Sequence, residues 1–264
     1  FKRLELEEPD VVALLEIDFE SKVRYFAMAK RFRKAGYEPR MLMGEGGSGR
    51  RLDEKEATST ANGILTLFRK RTVKVKAHGR LEERTVGAVI EWTGETTLTI
   101  KVAVVHGLHH AGLSSFALQL DTVSEWMQGE AVGSSAGDGI LMADFNYVAC
   151  KAWREYGGEP EELHGNDLAL RRLAGNVCSC CEQLQLKGSS SHVTCRGMRS
   201  GLAWTRFGKG GGAMLDGAVA FGAEQGKWQR TSVDPMQSLS DHAWVSFRRD
   251  VPPLQMVGPA RPRP

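Results

Sequence analysis

The 264-residue chain is narrowed first by what it lacks. It has no run of about 18 apolar residues, which excludes a helical membrane span, and no basic-then-apolar leader opens it. A membrane partner is therefore not expected. Neither sign of charge is in excess: 35 Lys and Arg stand against 32 Asp and Glu, a formal net charge of +3, so a local patch has to hold any anionic partner. Cysteine is scarce and odd in number, five in all, which favours reduced thiols and an intracellular setting, the nucleus included. The cluster Cys178-x-Cys180-Cys181 with His192 and Cys195 lacks the two-residue gap usual in zinc sites and reads as structural thiols. An initiator Met is also absent; Phe1 in its place reads as a fragment or processed product, with room for further domains in a longer protein.

What is present is ordinary globular material, 41% hydrophobic and 25% charged. The expected organisation is one domain over residues 1–250 and a Pro-rich, unpacked tail over 251–264. Pro9-Asp10 followed by Val11 to Leu15 reads as a turn into a buried strand ending at Glu16. Ser21 to Ala35 carries Val23, Phe26, Ala27, Ala29 and Phe32 at helical spacing, with Gly36 as its stop. The glycine-rich stretch Met43 to Ala57 reads as a loop, because no apolar helical pattern follows it as a phosphate cradle requires. Strands are expected at Gly63 to Phe68, at Val86 to Trp92 and Leu98 to Val105 as a hairpin about Gly94, at Ile140 to Met142, at Met214 to Phe221 and at Ala243 to Phe247. A surface helix is expected over Leu113 to Met127.

Taken singly, acids at strand ends are often turn or cap residues that stay in water. Here they accumulate. Glu16, His106, Asp144 with Asn146, and Asp241 with His242 fall at or beside strand boundaries, and Asp216 within its segment. Strand ends of one layer can converge on a common rim, where open α/β folds place their sites. Three motifs go further: Pro9-Asp10-Val11-Val12-Ala13-Leu14-Leu15-Glu16, Leu141-Met142-Ala143-Asp144-Phe145-Asn146 and Ser240-Asp241-His242, with Leu215-Asp216-Gly217-Ala218-Val219 as a weaker fourth. In this order they resemble the endonuclease/exonuclease/phosphatase superfamily, which includes pancreatic-type DNases, apurinic endonucleases and retrotransposon endonucleases. The match runs from about residue 8 to residue 247.

The resemblance implies an α/β fold, a four-layer α/β sandwich of two packed β-sheets flanked by helices. It implies a metal-dependent phosphodiesterase, with Mg²⁺ as cofactor and Mn²⁺ as its substitute, and with Glu16 and Asp241 as metal ligands. A phosphodiester repels nucleophiles through its anionic oxygens, so such a site needs a hard cation and a base to activate water. By the same resemblance Asp144 positions and deprotonates the water, Asn146 holds it or the phosphate in line, His242 stabilises charge on the phosphoryl oxygen, and Asp216 fixes the His242 tautomer. His106 matches a position where DNase-like members carry a second histidine, while His109 and His110 read as surface loop residues.

The departures from the family pattern are Leu15 for Gln, Ala143 for Gly and Gly217 for Tyr. Nothing before Pro9 matches the opening strand of the family, whose Asn or Asp also faces the metal. The leading expectation is a nuclease on DNA or RNA, with the endonuclease part of a retroelement as one source, since such endonucleases share these motifs. Phosphate contacts are expected from Arg69 to Lys76 and from the loop Arg196 to Lys209. The alternatives are a phosphomonoesterase of the same superfamily and an inactive remnant.

Overall fold

The structure, a computed structural model, describes residues 1–17, 22–42, 63–93, 97–107, 113–129, 138–146, 154–156, 159–160, 174–178, 183–186, 191–192, 206–208, 211–213, 215–221, 228–235 and 242–249. The chain opens with a short helix, α1 (Lys2–Glu7), then strand β1 (Val11–Ile17) and helix α2 (Lys22–Lys34). Next come β2 (Tyr37–Leu42), β3 (Gly63–Arg69), β4 (Val73–Glu82), β5 (Thr85–Thr93), β6 (Thr97–His106), α3 (Leu113–Gln128) and β7 (Gly139–Asp144). Short strands follow: β8 (Arg154–Tyr156), β9 (Glu159–Pro160), β10 (Ala174–Cys178), β11 (Gln183–Leu186), β12 (Ser191–His192), β13 (Arg206–Gly208) and β14 (Gly211–Ala213). The last three are β15 (Asp216–Phe221), β16 (Trp228–Pro235) and β17 (Ala243–Arg249).

Two sheets carry the architecture. One is antiparallel, in the order β1-β3-β2; the other has six strands in the order β12-β15-β7-β6-β5-β4. Within the larger sheet only β6 and β7 are parallel among the pairings described, and α3 lies between them in sequence, as a parallel connection requires. Alternation along the strands sorts the side chains into two cores. Val11, Ala13 and Leu15 of β1 face the larger sheet, in a cluster with Phe68, Val102, Val104, Ile140 and Ala218. Val12 and Leu14 face the other way, with Leu65, Leu67, Tyr25, Ala29 and Phe32 beneath α2 and Leu4 of α1. Helix α3 lies against β4 and β6. The layers run helices, sheet, sheet, helix, which is the expected four-layer sandwich.

Several elements differ from the sequence expectation. The residues before Pro9, which match no strand of the family pattern, form α1, whose Leu4 is buried in the α2 layer. The basic stretch after Arg69 forms a turn and then β4, a ten-residue strand in which Val73 and Val75 alternate with Lys74 and Lys76 until the register shifts between Val75 and Ala77, which brings His78 to the core side. Asp216 opens β15 rather than lying inside a strand, so it too stands at a strand boundary. Cys178 lies in β10 and His192 in β12, while Cys150, Cys180, Cys181 and Cys195 lie outside the described residues. The tail 251–264 is also outside them. No helix among the described residues is long and apolar enough to cross a membrane.

Asp10, which reads as part of the turn into the first strand, also ties that strand to its neighbours. It accepts a hydrogen bond from Trp92 Nε1 of β5 at 3.1 Å and another from Thr72 Oγ1 in the β3–β4 turn. This ties the start of β1 to the second sheet. A further bond between the sheets joins Thr66 Oγ1 of β3 to His78 Nε2 of β4 at 3.0 Å. Burial of His78, reinforced by Arg40, lowers its imidazole to about 4, so the ring is neutral near pH 7.

Candidate functional site

The site is built first by strand register. His106, the last residue of β6, pairs with Asp144, the last of β7, and Asp144 pairs with Asp216, the first of β15. Residues in register on neighbouring strands share a face, so the three form one row across three strands, spaced by roughly 5 Å per strand. Counting back by twos, the same face carries Val104, Met142 and Ala218, which belong to the core between the sheets. The row therefore closes that core at one end.

Close backbone approach fixes the row. His106 N donates to Arg84 O at 3.0 Å, Gly107 N to Asp144 O at 2.7 Å and Phe145 N to Leu215 O at 2.9 Å. A Cβ on Gly107 would lie 2.3 Å from Phe145 O, so only glycine fits there. Beyond Asp144 the chain turns sharply: Asn146 has φ of 57°, its amide N–H donates to Asp144 Oδ1 at 2.9 Å, and its Nδ2 donates to Gly107 O at 3.0 Å. Asn tolerates the left-handed region better than most residues, which accounts for its presence at this turn.

His242 reaches the row from the residue preceding β17. Its Nδ1 lies 2.9 Å from Asp216 Oδ2 and donates to it when protonated there, which leaves Nε2 as the outer nitrogen. Glu16 arrives from the other sheet. Strict alternation would send it toward α2 with Val12 and Leu14, but the pairing of β1 with β3 shifts between Leu14 and Ile17, and Glu16 takes φ of 52°. This irregularity turns the side chain to place Oε1 3.2 Å from His106 Nε2, with His106 fully buried and the Glu16 side chain 55% exposed. A non-glycine residue held in this conformation costs about 1 kcal/mol or more.

The electrostatics centre on Asp144. Burial pushes its carboxyl up to about 7, the Asp216 carboxylate beside it acts in the same direction, and His242 and the Asn146 amide oppose them. Glu16 adds to the rise. One ligand atom from each of Asp144, Asp216 and His242 lies within 4.8 Å of the others. Of the charged groups acting on Asp144, two are carboxylates and only His242 can offer a positive charge. That donor set, oxygen-rich and short of positive charge, fits a hard divalent cation.

Thus Glu16, His106, Asp144, Asn146, Asp216 and His242 come together at one end of the sandwich. Asp241 lies outside the described residues, as do His109 and His110. The basic segment does not join them. Arg69 pairs across β1 with the Asp10 end, and its guanidinium meets Glu8 at 2.5 Å, while Lys76 meets Glu91 at 2.5 Å. Glu16 is at the opposite end of β1, about 20 Å away at strand rise. The loop from Arg196 lies outside the described residues up to β13 at Arg206. One contributor had no sequence signal: buried Gln119 of α3 donates through Nε2 to Glu83 O at 2.9 Å, Thr85 Oγ1 at 3.0 Å and His106 O at 3.1 Å, holding the end of β6. Gly107 could have been found, since a glycine directly after a strand-end histidine suggests close packing.

No protein-family model matches the chain, and no curated protein matches it in sequence. Solved structures match it in fold. The human Nocturnin catalytic domain with bound sulfate is 15% identical, with 94% of this chain and 84% of that one covered and a TM-score of 0.55. TDP2 of D. rerio complexed with a single strand DNA product is 14% identical over 94% of this chain and 89% of that one, at 0.56. The AP endonuclease LMAP of Leishmania major is 14% identical over 95% and 81%, at 0.55. The chain has the fold these proteins share, a DNase I-like α/β sandwich.

Proposed function

We propose that this protein is a divalent-metal-dependent hydrolase of phosphate esters, acting on the phosphodiester bonds of nucleic acid. The observation that carries the reading is the row His106–Asp144–Asp216 with His242 bonded to Asp216, which combines a base, an oriented imidazole and a carboxylate cluster at one strand-end rim. Similarity in fold to TDP2 with its DNA product and to an AP endonuclease supports nucleic acid as the substrate class.

In this reading Asp144 accepts the proton of an attacking water. Its carboxyl, raised by burial to about 7, is basic enough to hold a proton near neutral pH. Asn146, fixed by its bond to Gly107 O, holds the water or the phosphate in line. Asp216 accepts from His242 Nδ1, so Nε2 faces the phosphoryl oxygen and stabilises the charge that develops as the water oxygen bonds to phosphorus and the ester oxygen leaves. Glu16 and Asp241 are assigned to the metal, and the ligand atoms of Asp144, Asp216 and His242, within 4.8 Å of one another, form a second set of residues that would hold it. A bound Mg²⁺ or Mn²⁺ would supply positive charge to the phosphate oxygens. His106 keeps Glu16 aimed at the site through the 3.2 Å contact.

The test is nicking of supercoiled plasmid in Mg²⁺ or Mn²⁺, measured by conversion to open circle. Nicking that EDTA stops, and that Asp144→Ala and His242→Ala each reduce by at least about a hundredfold, is expected. If plasmid and single-stranded DNA and RNA all stay intact in both metals, while phosphate is released from a monoester, the substrate assignment fails. If no phosphate ester is cleaved, the enzymatic reading itself fails.

A further inference from the structure

The end of β1 opposite the site is basic. Gly36, in the left-handed region at φ of 89°, stops α2, and its carbonyl accepts from the amide of Lys70 at 2.9 Å, which seats the last turn of the helix beside the β3–β4 turn. Two stretches far apart in sequence meet there: Lys30, Arg31, Arg33 and Lys34 of α2, and Lys70 and Arg71 of the turn, all exposed. Arg69 stands opposite Tyr37 and its amide donates to Asp10 O, so the group lies at the Asp10 end of β1, about 20 Å at strand rise from Glu16. Two carboxylates meet it. Glu38 is 3.6 Å from Arg33, and Glu8 is 3.9 Å from Arg71 while Arg69 holds it at 2.5 Å. No carboxylate among the described residues pairs with Lys30, Lys34 or Lys70, and Arg31 lies over the Phe1 ring at 4.4 Å, which leaves its charge intact. Cations in a last turn answer the helix dipole, but that end carries only about half a negative charge. Six cations against two carboxylates leave a surplus larger than the formal net charge of +3 of the whole chain.

We propose that this end is a second nucleic-acid-binding surface, which holds the sugar–phosphate backbone of a segment of polymer other than the one at the site. The choice of nucleic acid rests on the functional reading above; attraction of a polyanion to this surface does not. Three of the six cations are arginines, whose planar forks match pairs of phosphate oxygens. Lys30 and Lys34 are one helical turn apart, so they stand on one side of α2 and can track a backbone. A membrane surface fits less well, because a helix that lies on one buries an apolar face beside its basic one. The apolar face of α2, Tyr25, Ala29 and Phe32, is already packed on the sheet, and Val23, its large exposed apolar residue, is in the first turn, at the other end of the helix. The site end presents Glu16, Asp144 and Asp216 and repels a polyanion until a cation is bound, whereas this end attracts one without metal. The two lie at opposite ends of β1, so one straight segment does not touch both. A protein held in this way stays on its polymer while the site is empty.

The test uses the whole chain carrying Asp144→Ala, in EDTA, so that neither cleavage nor metal contributes. A fluorescein-labelled DNA duplex of about 20 base pairs is titrated by anisotropy between about 50 and 200 mM salt, which gives Kd and its salt slope. Combining Lys30→Gln, Lys34→Gln and Arg71→Gln should weaken binding at about 50 mM salt by at least about tenfold and reduce the slope by about 2 to 3, since each phosphate contact contributes about 0.9. The thermal melt should not move, and the charge-keeping set Lys30→Arg, Lys34→Arg and Arg71→Lys should bind as the parent does. No duplex binding by the parent at about 50 mM salt, or the same Kd and slope for the Gln set, would overturn the proposal. So would tighter binding to phosphatidylcholine vesicles with about 30% phosphatidylserine than to the duplex, which would make the partner a membrane. Cleavage is not read here, so this surface and the hydrolase site stand or fall separately.

Discussion

Replacing Asp144 with Asn should raise the stability of the metal-free protein while abolishing its activity. In the unfolded chain an Asp is charged above about pH 4, whereas in the native protein Asp144 resists ionisation until about 7. The native state therefore holds an extra proton across that window, and stability falls as pH rises through it. Above the native value the charge sits at 4% exposure beside Asp216, and the penalty levels off. A shift from 3.8 to about 7 corresponds to about 4 kcal/mol at about pH 8 and to under about 2 kcal/mol at about pH 5. Asn is nearly isosteric, keeps an oxygen to accept from the Asn146 amide, and carries no charge. Urea unfolding in EDTA should therefore show a gain for Asp144→Asn of a few kcal/mol at about pH 8 that shrinks by more than half at about pH 5. Saturating Mg²⁺ should narrow the gap from the other side, stabilising the parent chain by about 3 kcal/mol at a hundredfold excess over Kd, and the variant less. A variant less stable than its parent at about pH 8 without metal, or a gain that does not change with pH, would refute the electrostatic account of the site.

Three further outcomes follow from the same structure. Asp216→Asn should cut activity by at least about tenfold with little change in KM, because a neutral amide that accepts from Nδ1–H of His242 cannot stabilise positive charge on the imidazole as the carboxylate does. Gly107→Ala should lower Tm by several degrees and abolish nicking, since the added methyl meets Phe145 O; circular dichroism melts and the plasmid assay read both. Lys101→Met should cost about 2 kcal/mol, or a Tm lower by about 4–8 °C, with the kinetics of nicking unchanged, because the buried ammonium of Lys101 donates to the carbonyls of Trp126, Met127 and Gly129 that end α3.

Much of this fold is legible in the sequence because its central strands are buried on both faces or alternate cleanly. Val11 to Leu15, Gly63 to Phe68 and Leu98 to Val105 are apolar runs that few other structures could hide. Elements at the margins are less so. Helix α1 has only six residues, and strand β2 contains Pro39. Strand β4 places lysines on its open face, which makes a patterned strand look like a basic tract. The acids of the site show as strand-end residues, but their arrangement depends on register, and one slip moves a side chain to the other face. Asp216 illustrates this: a strand boundary later by two residues than the apolar pattern suggests puts it opposite Asp144. Glu16 is the harder case, since its direction comes from a left-handed backbone conformation that the run Leu14-Leu15-Glu16-Ile17 does not announce.

The bonds from Trp92 and Thr72 to Asp10, with that from Thr66 to His78 behind them, have a mechanical consequence. They fasten the two sheets together at the end and middle of β1, and leave the Glu16–His106 contact, half open to water, as the seam at the other end. A turn residue, Asp10, is thereby shared by both sheets through a tryptophan and a threonine at the edge far from the site.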